Sequence, residues 1–105
     1  AANRPTAVFA ANDVSAIAIL QVAAELGLEV PRDLSIVGFD DIPEATRLPV
    51  PLTTVRQPMG RLGAAAVQML LALMRGETLP ATHLRLPTKL VARQTTAPPA
   101  RYRAG

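Results

Sequence analysis

The 105-residue chain contains no cysteine and no tryptophan, and aromatic residues make up only 3% of it. The lack of cysteine excludes disulfide bridges and thiolate metal sites. Because aromatic side chains are scarce, a core has to be built from Ala, Val, Leu, Ile and Met. No apolar run approaches the roughly 20 residues that a membrane-spanning helix needs. The chain does not open with a basic segment followed by an apolar one, so we expect no signal peptide in it.

Charge is sparse as well, since charged residues make up 18% of the chain and the formal net charge is +3. A basic balance suggests an acidic partner such as nucleic acid. The arginines are scattered singly, however, except for Arg101 and Arg103, and no aromatic residues stand between them for base stacking. We therefore do not expect this segment itself to contact DNA. Its length and its 50% of hydrophobic residues are typical of one small globular domain at most.

Two apolar runs that end in polar side chains carry most of the functional signal. Residues 7–11 predict a β-strand that is followed by Asn12, and residues 34–38 predict a second strand that is followed by Asp40. A helical pattern lies between them, so the segment is predicted to be a βαβ unit with parallel strands, apolar enough for burial on both faces. Open α/β sheets bind their ligands at the edge where the carboxyl ends of such strands meet.

Asn12 and Asp40 are therefore predicted to contact a ligand together. A carboxylate accepts from two adjacent hydroxyl groups, and an amide both donates and accepts, which suits a sugar or another polyhydroxylated molecule. The alternative for Asn12 is that it only caps the following helix. Asp13 and Asp41 are weaker candidates for the same ligand, and the alternative for Asp41 is a solvated loop.

A second helix is predicted from about Met59 to Arg75, after Pro58. Gln57 and Met59 flank its start, where they either line a cleft or simply pack. This helix is apolar around most of its circumference, so we expect neighbours that the chain itself does not supply, whether another part of the parent protein or a second subunit. Residues 82–86 and 89–93 predict two further short strands.

Catalytic chemistry is not expected from these residues. His83 is the single histidine and has no Ser or Cys nucleophile near it, so it is interpreted as structural or exposed. Neighbouring residues at a strand end point in different directions, so Asp40 and Asp41 are not expected to share a proton. We expect no enzyme activity, no metal site and no cofactor.

Four segments resemble the lactose-repressor/galactose-repressor (LacI/GalR) family of bacterial transcription regulators. They are AVFAAND, GLEVPRDLSIVGFDD, PLTTVRQP followed by LGAAAVQMLL, and LPTKLVARQTT. They occur in the right order and with fitting gaps over residues 7–96, which makes the resemblance specific. Thr95 stands where many members carry Ser, a minor departure.

The resemblance implies an α/β fold: a parallel-sheet, periplasmic-binding-protein-like (type I) effector domain, of which this chain is only the C-terminal segment. Residues 1–57 would be part of the C-terminal lobe, and residues 58–83 a helix and connection of the N-terminal lobe. Residues 84–97 would return to the C-terminal lobe, and the composition of residues 98–105 predicts a disordered tail.

By the same resemblance, Asn12, Asp40 and Gln57 match positions of the effector cleft, and Met59 matches a position that often faces it. Ile17 and Leu48 match surfaces near a homodimer interface. Members of the family are cytoplasmic and have no membrane role. They contact DNA through a headpiece that is missing here, and they sense a small polar effector, for this chain a carbohydrate. The alternative is a fragment of a periplasmic-type sugar-binding protein with no DNA role.

Overall fold

The computed structural model describes residues 4–100, which divide into two compact units. The first contains the chain up to Arg56 and from Lys89 onward, and the second is Gln57–Thr88. The first unit contains β1 (Ala7–Phe9), α1 (Asp13–Glu25), β2 (Ser35–Val37), a short 3-10 helix (Pro43–Thr46), β3 (Thr54–Arg56) and β4 (Lys89–Val91). The second unit contains α2 (Met59–Met74). Which lobe each unit belongs to stays a prediction.

The βαβ unit forms as the sequence predicts. β1 and β2 are parallel, with Val8 opposite Ile36. The crossover helix α1 begins after Asn12. It ends just before Gly27, whose φ of +74° is the left-handed conformation that favours glycine at a helix C-terminus. The sequence therefore specifies both ends of the helix that makes the two strands parallel.

The sheet continues beyond β2. Parallel bridges join Val37 to Thr53 and Asp40 to Arg56, so the segment that leads into β3 and β3 itself run beside the end of β2. β4 pairs antiparallel with β3, with Thr54 opposite Val91. The parallel sheet is thus confirmed, and an antiparallel strand completes this side of the unit.

The core of the first unit lies between the sheet and α1. Its buried apolar residues are mostly small, as the shortage of aromatics requires: Ala10, Ala16, Ala23, Leu34, Ile36, Ala45 and Leu52. The prediction that β1 is covered on both faces is wrong for the part of the chain described, because successive side chains point to opposite faces and only one face meets α1. Phe9, on the other face, is 68% exposed.

The second unit consists of α2 and the segment after it. No residue of α2 is buried by the described part of this chain. That neighbours outside this chain cover its apolar surface stays a prediction. The strand predicted at residues 82–86 does not form. Leu84 and Leu86 instead line a depression with Leu62 and Met69, so their alternation serves packing on a helix rather than pairing in a sheet.

Two expectations concern the ends of the chain and the membrane. Most of the tail predicted at residues 98–105 lies outside the described residues. Neither described helix has the length and apolar character required to traverse a bilayer.

Candidate ligand site at the carboxyl edge of the sheet

The predicted ligand residues of the first unit follow neighbouring strands at one edge of the sheet. The backbone N–H of Asp13 donates to the carbonyl of Phe39 across 3.0 Å. Asn12 precedes the first of these residues and Asp40 follows the second, so each lies one residue from this hydrogen bond. The parallel register of β1 and β2 therefore brings the two segments together at the edge where the sequence predicts a ligand.

Asn12 caps α1. Its backbone is extended, with φ −159°, and its Oδ1 accepts a 2.8 Å hydrogen bond from the N–H of Ser15. The capping alternative is therefore observed. The cap uses the amide oxygen and leaves the amide nitrogen as a donor that Asn12 can offer to a ligand.

Asp40 and Asp41 both have positive φ angles, of 126° and 63°. Side-chain-bearing residues rarely adopt this region, and each such residue costs roughly 1–3 kcal/mol unless its surroundings hold it there. The N–H of Asp40 donates to the carbonyl of Val55 across 2.9 Å, which fixes the turn against β3. Strained residues of this kind are concentrated at functional sites, which supports the choice of this turn as part of the site.

Asp41 is not solvated, so the loop-solvation alternative is wrong. Its carboxylate is only 8% exposed and lies 2.7 Å from Arg56 Nε and 2.7 Å from Arg93 Nη2. Burial alone would raise the pKa of Asp41. The hydrogen bonds and positive charges of Arg56 and Arg93 outweigh burial and hold this pKa below its ordinary value of 3.8.

Asp13 is fully buried, so its carboxylate is enclosed by protein. Oδ1 accepts a 2.6 Å hydrogen bond from Thr54 Oγ1, and Oδ2 accepts a 2.8 Å bond from the N–H of Ile42. Gly38 makes room for it, since a Cβ atom at that position would clash with Asp13 Oδ1. The position of Asp13 is that of a structural carboxylate, which ties α1 to β3 and to the turn after Asp41.

An apolar depression of about 290 Å³ lies beside these polar groups, lined by Phe9, Ala10, Ala11 and Phe39. Phe9 and Phe39 are the only phenylalanines of the chain. Phe39 directly precedes Asp40, and Phe9 lies three residues before Asn12. An aromatic residue at the end of each strand is a sequence signal for this surface that the prediction from Asn12 and Asp40 leaves out. The edge of the sheet thus offers an aromatic surface next to hydrogen-bonding groups.

Gln57 and Met59 belong to the second unit, at the start of α2. The N–H of Met59 donates to the carbonyl of Gln57 across 2.9 Å, and the Met59 side chain is exposed. This local geometry is that of a helix start after Pro58. Their contact with a ligand stays a prediction.

Within residues 4–100, no three His, Asp or Glu side chains are grouped so that they could hold a metal ion. His83 is exposed, as interpreted from the sequence, and its Nδ1 lies 3.1 Å from Thr82 Oγ1.

A second apolar cavity, of about 210 Å³, lies in the first unit and shares no lining residue with the depression beside Phe9 and Phe39. It is lined by Leu20, Ala24, Leu28, Val30, Leu48, Pro49 and Val50. Leu48, one of the two residues predicted near a homodimer interface, is part of its wall. Ile17, the other, is half-buried on α1.

The fold and the edge site define a class of protein. The family model described as "Periplasmic binding protein-like domain" matches residues 1–96. The chain therefore belongs to the family of periplasmic binding protein-like domains.

Within this family the relatives are LacI-type regulators, which confirms the resemblance. The chain is 38% identical over 89 residues to the ribose operon repressor of Bacillus subtilis, which covers 85% of this chain and 27% of the relative. It is 44% identical over 92 residues to the HTH-type transcriptional regulator MalR of Streptomyces coelicolor, covering 88% of this chain and 27% of the relative.

Solved structures agree. A dimeric Lac repressor with an 11-residue C-terminal deletion is 40% identical, with a TM-score of 0.81 over 90% of this chain and 35% of that one. A LacI family transcriptional regulator from Enterococcus faecium with bound ribose is 33% identical, with a TM-score of 0.78 over 92% of this chain and 36% of that one. The chain spans about a quarter of the length of the curated relatives named above.

Proposed function

We propose that this chain is the effector-sensing segment of a bacterial transcriptional regulator and that its effector is a small polar carbohydrate. One observation carries the proposal: β1 and β2 are parallel, and the segments of Asn12 and Asp40 meet at their carboxyl edge. A regulator of this kind contacts DNA through a separate headpiece, which this chain lacks. It works in the cytoplasm, because its operator DNA is there.

Asp40 is the principal hydrogen-bonding group for the effector. A carboxylate accepts from two neighbouring hydroxyl groups of a sugar, and the Asn12 amide nitrogen donates to a ring or hydroxyl oxygen. Phe9 and Phe39 supply the apolar side of the depression beside them. Because sugar rings have one apolar C–H face and polar edges, an aromatic wall with flanking hydrogen-bonding groups suits them.

Sensing involves no bond making or breaking. We assign residues 1–57 to the C-terminal lobe, residues 58–83 to the N-terminal lobe and residues 84–97 to the C-terminal lobe again. We include Gln57 and Met59 among the effector-binding residues. An effector that contacts both lobes binds the closed arrangement better than the open one. It therefore shifts the equilibrium between them by its difference in affinity.

The regulator acts as a homodimer. The cavity walled by Leu48 is almost entirely apolar and lies apart from the ligand edge, so a partner that fills it would remove apolar surface from water without blocking the effector. This supports an interface near Leu48, for which Ile17 of α1 is the second residue that we propose. Two similar solved structures point the same way, since one is of a dimeric Lac repressor and the other is of a Lac repressor dimer bound to operator.

The competing function is that of a periplasmic-type sugar-binding protein with no DNA role. The two differ in the coding sequence upstream of this segment: a helix-turn-helix and a hinge support the regulator, and a signal peptide supports the competitor. The named relatives, which are repressors and transcriptional regulators, favour the regulator.

Calorimetric titration of the full-length protein tests the effector site. The sugars to use are ribose, sucrose and cellobiose, each of which is named as bound in a similar solved structure. Asp40→Asn keeps the shape of the side chain and its tolerance of positive φ but removes the charge. It should weaken binding by about 1.5–3 kcal/mol, or roughly 10- to 150-fold.

The matched control is Glu44→Gln, which removes one carboxylate charge from the exposed 3-10 helix. It should leave the affinity unchanged. Equal affinity for the wild-type protein and Asp40→Asn would remove Asp40 from the site. If no sugar binds the wild-type protein, a carbohydrate effector of this kind is contradicted.

A further inference from the structure

The turn that carries Asp40 is strained at two consecutive residues. Asp40 has φ 126° and Asp41 has φ 63°, and neither is a glycine. Such a turn relaxes to an ordinary conformation unless other contacts determine it. The contacts that hold it therefore decide where the Asp40 carboxylate is presented.

Asp41 makes the strongest of these contacts. Its two carboxylate oxygens are divided between two arginines: Oδ2 accepts from Arg56 and Oδ1 accepts from Arg93, both across 2.7 Å. Charge-assisted hydrogen bonds of this length are about twice as strong as neutral ones. Water competes little for the second pair, because the Arg93 side chain is only 14% exposed, whereas that of Arg56 is 51% exposed.

The two arginines are themselves fixed. The Nη1 of Arg93 donates to the carbonyl of Leu52 across 2.9 Å, and its backbone N–H donates to Thr53 Oγ1 across 2.9 Å. Arg56 is the last residue of β3, where it pairs with Lys89 of β4. Asp41 is therefore tied to β3 and to the segment after β4 rather than to a mobile side chain.

Backbone contacts secure the turn on each side of Asp41. The N–H of Asp40 donates to the carbonyl of Val55, and the N–H of Ile42 donates to the buried carboxylate of Asp13. These bonds fix the residues before and after Asp41. The ion pairs of Asp41 fix the residue between them, at the point where the chain changes direction.

We propose that Asp41, clamped by Arg56 and Arg93, is a positioning residue that holds the strained turn so that the neighbouring Asp40 carboxylate faces the effector. The inference rests on the proposed function, because it gives Asp40 a ligand to bind. Arg56 is also the last residue before the chain enters the second unit. The ion pair of Asp41 with Arg56 therefore connects the turn that carries Asp40 to the point where the chain leaves the first unit.

Asp41→Asn is the cleanest perturbation, because Asn has the same shape and accepts positive φ readily. Arg56→Gln removes the half-exposed partner alone and serves if Asp41→Asn fails to fold. Glu29→Gln is the matched control, since it removes the exposed ion pair of Glu29 with Arg32, in which both side chains are about two-thirds exposed.

Two readouts on the full-length protein separate positioning from plain stability. The first is hydrogen exchange of the fragment covering residues 39–47, with residues 13–26 as internal reference. Exchange of the first fragment should rise roughly 10-fold in Asp41→Asn and less in Arg56→Gln, with the reference unchanged. The second is affinity for whichever of ribose, sucrose and cellobiose the wild-type protein binds, which should fall roughly 10-fold in Asp41→Asn. Glu29→Gln should change neither.

Unchanged exchange in residues 39–47 would overturn the inference, and so would faster exchange with full sugar affinity. If the 39–47 and 13–26 fragments both lose protection in Asp41→Asn, the result with Arg56→Gln decides. Faster exchange of residues 39–47 alone in Arg56→Gln supports the inference, and any other result shows that Asp41 has only a structural role. If the wild-type protein binds no sugar, the proposed function fails, and the exchange experiment still decides whether Asp41 holds the turn.

Discussion

Gly38→Ala is the substitution for which the structure gives the sharpest expectation. Gly38 follows β2 and lies against the buried carboxylate of Asp13. A Cβ atom there would clash with Asp13 Oδ1, would lie 3.0 Å from Leu52 Cδ2 and would lie 3.3 Å from Asp13 Cα. Asp13 cannot give way cheaply, because its backbone belongs to α1 and its side chain is fully enclosed.

The cost follows from what Asp13 loses when it is displaced. Its carboxylate accepts from Thr54 Oγ1 across 2.6 Å and from the N–H of Ile42 across 2.8 Å. A hydrogen bond to a charged group contributes about 1.5–3 kcal/mol, so the loss or distortion of both costs roughly 3–5 kcal/mol. In a protein of several hundred residues this lowers the melting temperature by about 5–10 °C.

Two alanine substitutions elsewhere calibrate the measurement, which is thermal unfolding of the full-length protein followed by calorimetry. Gly63 lies within α2 with nothing near its Cβ position, so Gly63→Ala should stabilise by about 0.5–1 kcal/mol. Gly27 also has open space but a φ of +74°, so Gly27→Ala should cost about 1–2 kcal/mol from backbone strain alone. Gly38→Ala that melts like the wild-type protein, or no lower than Gly27→Ala, would refute the reasoning about Asp13.

Three further predictions concern the same unit. The pKa of Asp41 is lowered in the folded state, so its ion pairs stabilise the fold fully above about pH 4 and lose that effect as the pH falls through the lowered pKa. The difference in unfolding free energy between wild type and Asp41→Asn should therefore be constant from about pH 5 to 7 and shrink below about pH 4. A difference that is independent of pH down to about 2 would contradict this. Asn12→Ala should lower the unfolding free energy by about 1 kcal/mol because the cap of α1 is lost, whereas Asn12→Ser keeps a cap and should weaken sugar binding with little change in melting temperature. Full sugar affinity in Asn12→Ser would show that Asn12 acts as a cap alone. Leu48→Glu should shift the full-length protein from dimer to monomer in analytical ultracentrifugation, because a carboxylate would be buried in an apolar cavity wall, and an intact dimer would exclude Leu48 from the interface.

The sequence predicts the βαβ unit and the meeting of the Asn12 and Asp40 segments at one edge of the sheet well, because both depend on local signals. The runs of residues 7–11 and 34–38 contain β1 and β2, and the cap at Asn12 and the stop at Gly27 bound α1. The relation between the strands then follows from chain topology. Local propensity and the handedness of crossovers are enough for this part of the fold.

The same reasoning misses what depends on contacts distant in sequence. Asp41 and Arg93, which form an ion pair, are 52 positions apart in the sequence, and the hydrogen-bonded Asp13 and Thr54 are 41 apart. The spacing of these residues predicts neither contact. The strand predicted at residues 82–86 fails for a related reason. Alternating apolar residues predict a strand only if a second strand lies beside them, and here Leu84 lies near a helix instead.

The three acidic residues of the site show how differently one chemical group is used within a few ångströms. Asp13 is wholly enclosed and accepts from neutral donors, Asp41 is nearly enclosed and is neutralised by two cations, and Asp40 is half-buried on a strained backbone between them. Both enclosed carboxylates hold the turn: Asp13 accepts from the residue after Asp41, and Asp41 anchors the turn to β3 and to the segment after β4. A ligand carboxylate has to be rigid in direction yet open to an incoming hydroxyl group, and these two demands conflict on an ordinary loop. Here the rigidity comes from the two neighbours, which hold the turn that carries Asp40.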